Sequence, residues 1–189
     1  CFHTNPRVED VSQLLNQIDN KESYQVIIAV GGGSVIDTAK LLKAFWINPL
    51  SLDEYLSTED DSELSPAALP LIAIPSTAGS GSEATRFAVV YKNKKKYSVE
   101  HDELLPNFSV VVPPLLASVP QHVAASSGMD ALCQGIESYW SIHSTDESRK
   151  LAAEAITLAW NWIEKAVNDR SSDALNHMAQ ASHLAGRAI

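Results

Sequence analysis

Two runs of glycine and hydroxyl-bearing residues are where this chain is best equipped to do chemistry. They are Gly31-Gly32-Gly33-Ser34 and Pro75-Ser76-Thr77-Ala78-Gly79-Ser80-Gly81-Ser82-Glu83. Both offer backbone N–H and short O–H groups with no bulky side chain in the way, so both can close around an anion such as phosphate. The first opens into Val35-Ile36-Asp37-Thr38-Ala39-Lys40, where the unpaired N–H groups and dipole of a helix start add to the attraction. Ser34 can donate to a phosphate oxygen or can cap its own helix together with Asp37. Tight strand-to-helix turns also use glycine, and either loop alone leaves that plainer reading open. Two such loops, each following an apolar strand, together read as the dinucleotide crevice of an α/β sheet.

A second candidate lies downstream of Gly128. Asp130, Gln134 and Glu137 are spaced i, i+4 and i+7 and share one helix face. A carboxylate and a second donor one turn apart can hold two positions of a divalent metal, although spacing alone favours a polar, solvated face. The six histidines (His3, His101, His122, His143, His177 and His183) are scattered, with no H-x-x-x-H pair. Cys133 is read as a small core residue off the Asp130 face, and Trp140, Trp160 and Trp162 as packing residues. The lysines of residues 92–96 read as a solvated hairpin tip, with Lys96 a partial exception.

The elements that must position these residues follow from periodicity. Residues 8–18 have helical spacing. Residues 24–30 and 69–74 are strands; in the first, residues 26–30 are continuously apolar, as a strand buried on both faces should be. Ser34 with Asp37, Ser51 with Glu54 and Ser144 with Glu147 are capping pairs. Residues 57–65 form a polar loop. Residues 87–91 and 96–99 make a hairpin around Lys92-Asn93-Lys94-Lys95, and 110–112 is a short strand ended by Pro113-Pro114. Beyond Pro120 the pattern is helical only, over 126–142, 145–167 and 173–189. The middle helix carries an Ala152, Ile156, Ala159, Ile163, Val167 stripe.

The 189 residues are 45% hydrophobic and 20% charged, the balance of a globular domain with room for one good core. A net charge of −9 argues against a nucleic-acid or anionic-membrane surface. Two cysteines make no disulfide framework, so a reducing, cytoplasmic setting is expected. No apolar run reaches membrane-spanning length. The chain starts at Cys1 and stops at Ile189 inside a helical pattern, as an internal piece of a longer protein would.

Four stretches stand out together: Thr4-Asn5-Pro6, the run from Gly31 through Lys40, the run from Pro75 through Glu83, and Gly128-Met129-Asp130-Ala131-Leu132 with Ile136-Glu137-Ser138-Tyr139. In these the chain resembles the iron-containing (group III) metal-dependent alcohol dehydrogenases. Their order and spacing fit over nearly the whole chain. The resemblance implies an α/β, Rossmann-like dinucleotide-binding domain over residues 1–119, incomplete by an N-terminal strand-helix unit. The start of an all-helical metal-binding domain follows over 120–189, an architecture shared with dehydroquinate synthase. It implies cofactor contacts from Asn5, Gly32, Gly33, Ser76, Thr77, Ser80, Val89, Lys96 and Leu116, beside the phosphate contact already read for Ser34, and metal ligation by Asp130, with Gln134 at the position of the next ligand. The implied cofactors are NAD or NADP and a divalent metal, Fe²⁺ or Zn²⁺. The family usually has histidine where Gln134 stands, and Val112-Pro113-Pro114-Leu115 replaces its usual Asp-Pro-x-Leu. Two further metal histidines would fall beyond Ile189.

The segments 130–141 and 144–149 resemble the branch that includes phosphonoacetaldehyde reductases. The expected activity is hydride transfer between NAD(P)H and a small aldehyde or alcohol, with the metal polarising the carbonyl in the interdomain cleft. The 189 residues alone are expected to be inactive. A dehydroquinate-synthase-like lyase and a non-catalytic dinucleotide-binding module are the rival readings. Family members commonly self-associate, which leaves a homo-oligomer open.

Overall fold

The computed structural model describes residues 4–58 and 64–189. Cys1, His3 and the middle of the polar stretch, residues 59–63, lie outside them. A three-stranded parallel sheet carries the first half. Strand β1 (Ile27–Gly31) pairs with β2 (Leu71–Pro75) from Ile27↔Leu71 to Gly31↔Pro75. A short β5 (Phe108–Ser109) lies on the far side of β2. Helix α2 (Gly33–Phe45) covers one face of this sheet, setting Ile36 and Ala39 against Ala29, Leu71 and Ala73.

The sequence predicts residues 26–30 to be buried on both faces; among the described residues β1 is paired on one side and covered by α2 on one face, which leaves Ile28 and Val30 58% and 55% exposed. The expected strand at 110–112 is displaced to β5. Val110 still donates its N–H to the Ala73 carbonyl, but Pro113 then starts a 3₁₀ segment, Pro113–Ser118, because proline has no N–H to continue the ladder.

A two-stranded hairpin, β3 (Phe87–Lys92) and β4 (Lys95–Glu100), stands beside α2. Its turn is only Asn93-Lys94, both at positive φ (52° and 65°), the conformation that two-residue hairpins favour. The hairpin, α1 (Val8–Gln17) and α2 enclose a core of Val8, Val11, Leu41, Phe45, Leu52, Val90 and Leu104. Each fully buried Leu or Val there contributes about 2 kcal/mol. The short α3 (Leu52–Tyr55) starts with the expected box: Ser51 Oγ accepts from the Glu54 N–H and the Glu54 carboxylate accepts from the Ser51 N–H.

From Gln121 onward the chain is helical. Helices α4 (Gln121–Trp140), α5 (Asp146–Asn168) and α6 (Ser172–Arg187) pack together. α4 starts five residues earlier than periodicity indicates, directly after Pro120, a residue that favours helix beginnings. The capping pair of α5 is Thr145 with Ser148, not Ser144 with Glu147. Ser144 Oγ instead accepts from Arg149 Nε. Alanines dominate the interface: Ala152, Ala155, Ala159, Ala174 and Ala181 are fully buried, and the expected Ile156, Ile163 and Val167 positions are partly buried. Trp162 stacks on His177, whereas Trp140 and Trp160, expected as packing residues, are 72% and 73% exposed among the described residues. No helix among the described residues is long and apolar enough to cross a membrane.

Candidate functional site

The two glycine-rich loops meet because β1 and β2 are parallel neighbours whose C-terminal ends lie side by side. Ser76 N–H donates to the Gly31 carbonyl at 2.9 Å, which joins the loop bases. A Cβ added to Gly32 would come within 3.3 Å of the Thr77 side chain, and one on Gly33 within 2.7 Å of Ser80 Oγ. The second loop is also held from behind, since a Cβ on Gly79 would lie 2.6 Å from Ser127 Cβ of α4. Gly81 adopts φ +57°, and a Cβ there would lie 2.6 Å from Gly186 Cα of α6. The loop is therefore clamped between the α2 start and two helices of the second half.

A cleft of two lobes opens above these loops. One lobe, about 610 Å³, is lined by Asn5, Gly32, Gly33, Ser34, Thr77 and Ser80, with Ser126 and Ser127 opposite. The other, about 560 Å³, is lined by Asp130, Cys133, Gln134 and Glu137 together with Thr85 and Phe87. Asp37, Ser80, Val89, Lys96 and Asp130 line both. The anion-receptive loops and the polar face of α4 thus line two adjoining cavities that share five residues.

Most of the residues expected at the site gather there. Asn5, held at φ 70°, donates its N–H to Ser34 Oγ at 3.2 Å. Ser34 therefore does not pair with Asp37 to cap α2, whose cap position is Gly32. Ser76 and Leu116 are not among the lining residues. Ser76 sits at the base of its loop, and Leu116 lies in the apolar core of the second half beside Ala78 and Met178. Cys133 is exposed and shares the cleft with Asp130, contrary to the expectation of a core residue; Leu132 and Gly135 take the buried positions beside it.

Sequence reasoning passed over a polar cluster that runs from the cavity floor at Asp37 into the interior at Lys40 and Glu83. Asp37 accepts from the Ser82 hydroxyl at 2.5 Å and from the Val89 N–H at 3.1 Å. Lys40 is fully buried and donates to Thr85 Oγ1 at 2.9 Å and to the Phe87 carbonyl at 2.6 Å. Burial pushes the Asp37 carboxyl above the usual carboxylate range, with Lys40 opposing the shift. Burial brings Lys40 down from 10.5 to about 8, with Asp37 and Glu83 acting against it. Glu83 is buried as well, and its Oε1 lies 3.2 Å from His183 Nδ1 on α6. The available signal was a lysine one turn from Ile36, on the helix face that has to pack.

Residues 1–113 match the family described as iron-containing alcohol dehydrogenase, and residues 124–189 match its C-terminal part. The chain belongs to the iron-containing alcohol dehydrogenase family. Long-chain-alcohol dehydrogenase 1 of Geobacillus thermodenitrificans is 39% identical over 167 residues, covering 88% of this chain and 42% of the relative. Phosphonoacetaldehyde reductase of Streptomyces viridochromogenes is 36% identical over 196 residues, covering 99% and 49%. A crystal structure of sulfoacetaldehyde reductase from Bifidobacterium kashiwanohense in complex with NAD⁺ superimposes with a TM-score of 0.91 at 34% identity, covering 100% of this chain and 50% of the other. The chain thus spans about half the length of these alcohol dehydrogenases and aldehyde reductases. Membership supports an α/β dinucleotide-binding fold followed by helices, NAD or NADP as cofactor, and a divalent metal.

Two donors of the chain suit such a metal. Asp130 faces the cleft, and burial raises its carboxyl above the ordinary range. Gln134, one turn on, has a buried Nε2 with no hydrogen-bond partner. A 180° turn of the amide exchanges that nitrogen for the carbonyl oxygen, a ligand. Among the described residues no group of three or more His, Cys, Asp and Glu side chains could hold a metal ion. Asp130 and Gln134 would by themselves supply two of the roughly four donors such a site needs.

Proposed function

We propose that the full-length protein containing this chain is an NAD(P)-dependent alcohol dehydrogenase or aldehyde reductase, transferring a hydride between the nicotinamide ring and a small aldehyde or alcohol. The observation that carries this reading is the pair of adjoining cavities, one lined by the two glycine-rich loops and the other by Asp130 and Gln134, with Asp130 in both. In this proposal residues 1–119 form the cofactor domain and residues 120–189 begin the metal-binding domain. The N–H groups at Gly32, Gly33 and Ser34 take the pyrophosphate, aided by the α2 dipole. Asn5, Ser76, Thr77 and Ser80 surround the phosphates and adenosine, with Val89, Lys96 and Leu116 as further cofactor positions. Leu116 would act there only by supporting the wall behind Ala78.

The loops supply orientation, which holds the reacting carbons in attack geometry. Asp130 and Gln134 hold the metal, whose chemistry when bound is polarisation of the carbonyl oxygen. The aldehyde class is supported by the phosphonoacetaldehyde and sulfoacetaldehyde reductases among the relatives.

An anaerobic assay of NADH and NADPH oxidation with a panel of small aldehydes, before and after Fe²⁺ or Zn²⁺ loading, tests the proposal. Metal-dependent oxidation is expected. Cofactor binding without turnover of any aldehyde would support a binding module instead. In the same protein Asp130→Ala is expected to lower bound metal and to reduce kcat at least about 100-fold, with the NADH dissociation constant nearly unchanged. Full turnover by the variant would remove Asp130 from the site.

A further inference from the structure

Among the described residues no strand pairs with the outer edge of β3, yet three of its outward backbone groups have partners. Along that edge the Phe87 carbonyl accepts from Lys40 Nζ, the Val89 N–H donates to Asp37 Oδ2, and the Tyr91 N–H donates to the Pro6 carbonyl at 2.8 Å. Positions 87, 89 and 91 alternate along the strand, so their polar groups face one way. Asp37 and Lys40, three apart on α2, share one helix face. The earlier side chain meets the later strand residue, so α2 runs against β3 and two of its side chains take the place of a pairing strand. Asp37 has a second bond, from the Ser82 hydroxyl. One carboxylate therefore joins the helix that starts at the Gly32-Gly33 turn, the loop after β2, and the hairpin wall that carries Val89 and Lys96.

We propose that Asp37 is a positioning residue for the dinucleotide, fixing the Val89–Lys96 wall and the Ser80–Ser82 loop relative to the glycine turn. This rests on the cofactor-cleft reading above. The carboxylate can accept from both donors at once. An alanine accepts from neither and leaves the Val89 N–H unpaired. An asparagine keeps the shape, with its oxygen accepting from Val89 and its amide donating to Ser82 Oγ.

Fluorescence titration of the full-length protein with NADH and NADPH, which needs no turnover, tests the role. Melting curves and steady-state kinetics on the aldehyde found active accompany it. Asp37→Ala is expected to raise the cofactor dissociation constant and KM about tenfold while kcat stays within about threefold. Asp37→Asn should recover most of the affinity, and Ser82→Ala, which removes one arm, should weaken binding about threefold. A lowered melting temperature with wild-type cofactor affinity in Asp37→Ala overturns the proposal and leaves Asp37 a purely structural group. If Asp37→Ala does not fold, Ser82→Ala decides, and wild-type affinity in that variant overturns it equally. Failure of the wild type to bind either dinucleotide removes the cofactor-cleft reading itself. Wild-type binding without turnover removes only the reductase reading and leaves the affinity comparison standing.

Discussion

The two halves of this chain are held together by different means. In the α/β half, buried polar side chains span segments distant in sequence. Lys40 reaches Thr85 and Phe87, Lys43 reaches the Leu105 carbonyl, and Asp37 reaches Ser82 and Val89. In the helical half, small residues let backbones approach. Alanines fill the α4–α5–α6 interface, and a Cβ on Gly135 would lie 3.1 Å from Ile156 Cγ1. Buried polar bonds fix where a loop sits, because any displacement leaves a desolvated group unpaired. Close helix packing makes a rigid platform but leaves few polar groups to define a direction. The loop from Ser76 to Ser82 takes its place from both: it is bonded to Asp37 on one side and pressed against Gly186 on the other.

That contrast can be broken at its joint. Gly81→Ala adds a Cβ to a left-handed residue and drives it into the Gly186 backbone. The strain and the overlap together are expected to cost about 4 kcal/mol. Urea unfolding of the full-length variant measures this, and a loss under about 1 kcal/mol would show that the halves do not depend on that contact.

The polar half can be probed by pH. The native pKa of Lys40 is about 8 against 10.5 when unfolded. Between those values the native state releases a proton that the unfolded chain still holds, so this group's contribution to stability rises with pH across the window. The span corresponds to about 3 kcal/mol. Lys40→Met is expected to lose that part of the rise between pH 8 and 10.5, and unfolding midpoints compared with the wild type will show whether it does.

The smallest effect sharpens the helical side. Ser171 Oγ accepts from the Ala174 N–H at the start of α6. Ser171→Ala is expected to cost about 1 kcal/mol while leaving cofactor affinity intact, in contrast to Ser82→Ala. A fall in affinity as large as that of Ser82→Ala would mean that α6 sets the loop more than Asp37 does.

Much of the fold was legible because its signals are local. The strand-to-glycine runs, the Ser51–Glu54 box and the helical stretches after Pro120 each depend on residues a few positions apart. The candidate site was partly legible for the same reason: Gly32, Gly33, Ser34, Thr77 and Ser80 sit on loops whose composition marks them. The errors arose where a neighbour distant in sequence decides. Cys133 faces the cleft because Leu132 and Gly135 meet the other helices. Asp37 looked like a capping residue because its partners, Ser82 and Val89, are 45 and 52 residues away.

The sequence alone determined the element types, the anion-receptive chemistry of two loops and the shared face of Asp130, Gln134 and Glu137, since backbone preference and side-chain periodicity act over one or two turns. Only the tertiary structure decided that the two loops touch, that α4 lies across the cavities from them, and that Asp37 and Lys40 bond to backbone groups on the outer edge of β3. Those outcomes depend on burial, which charges every unpaired polar group its lost hydration and so selects the one arrangement that pairs them.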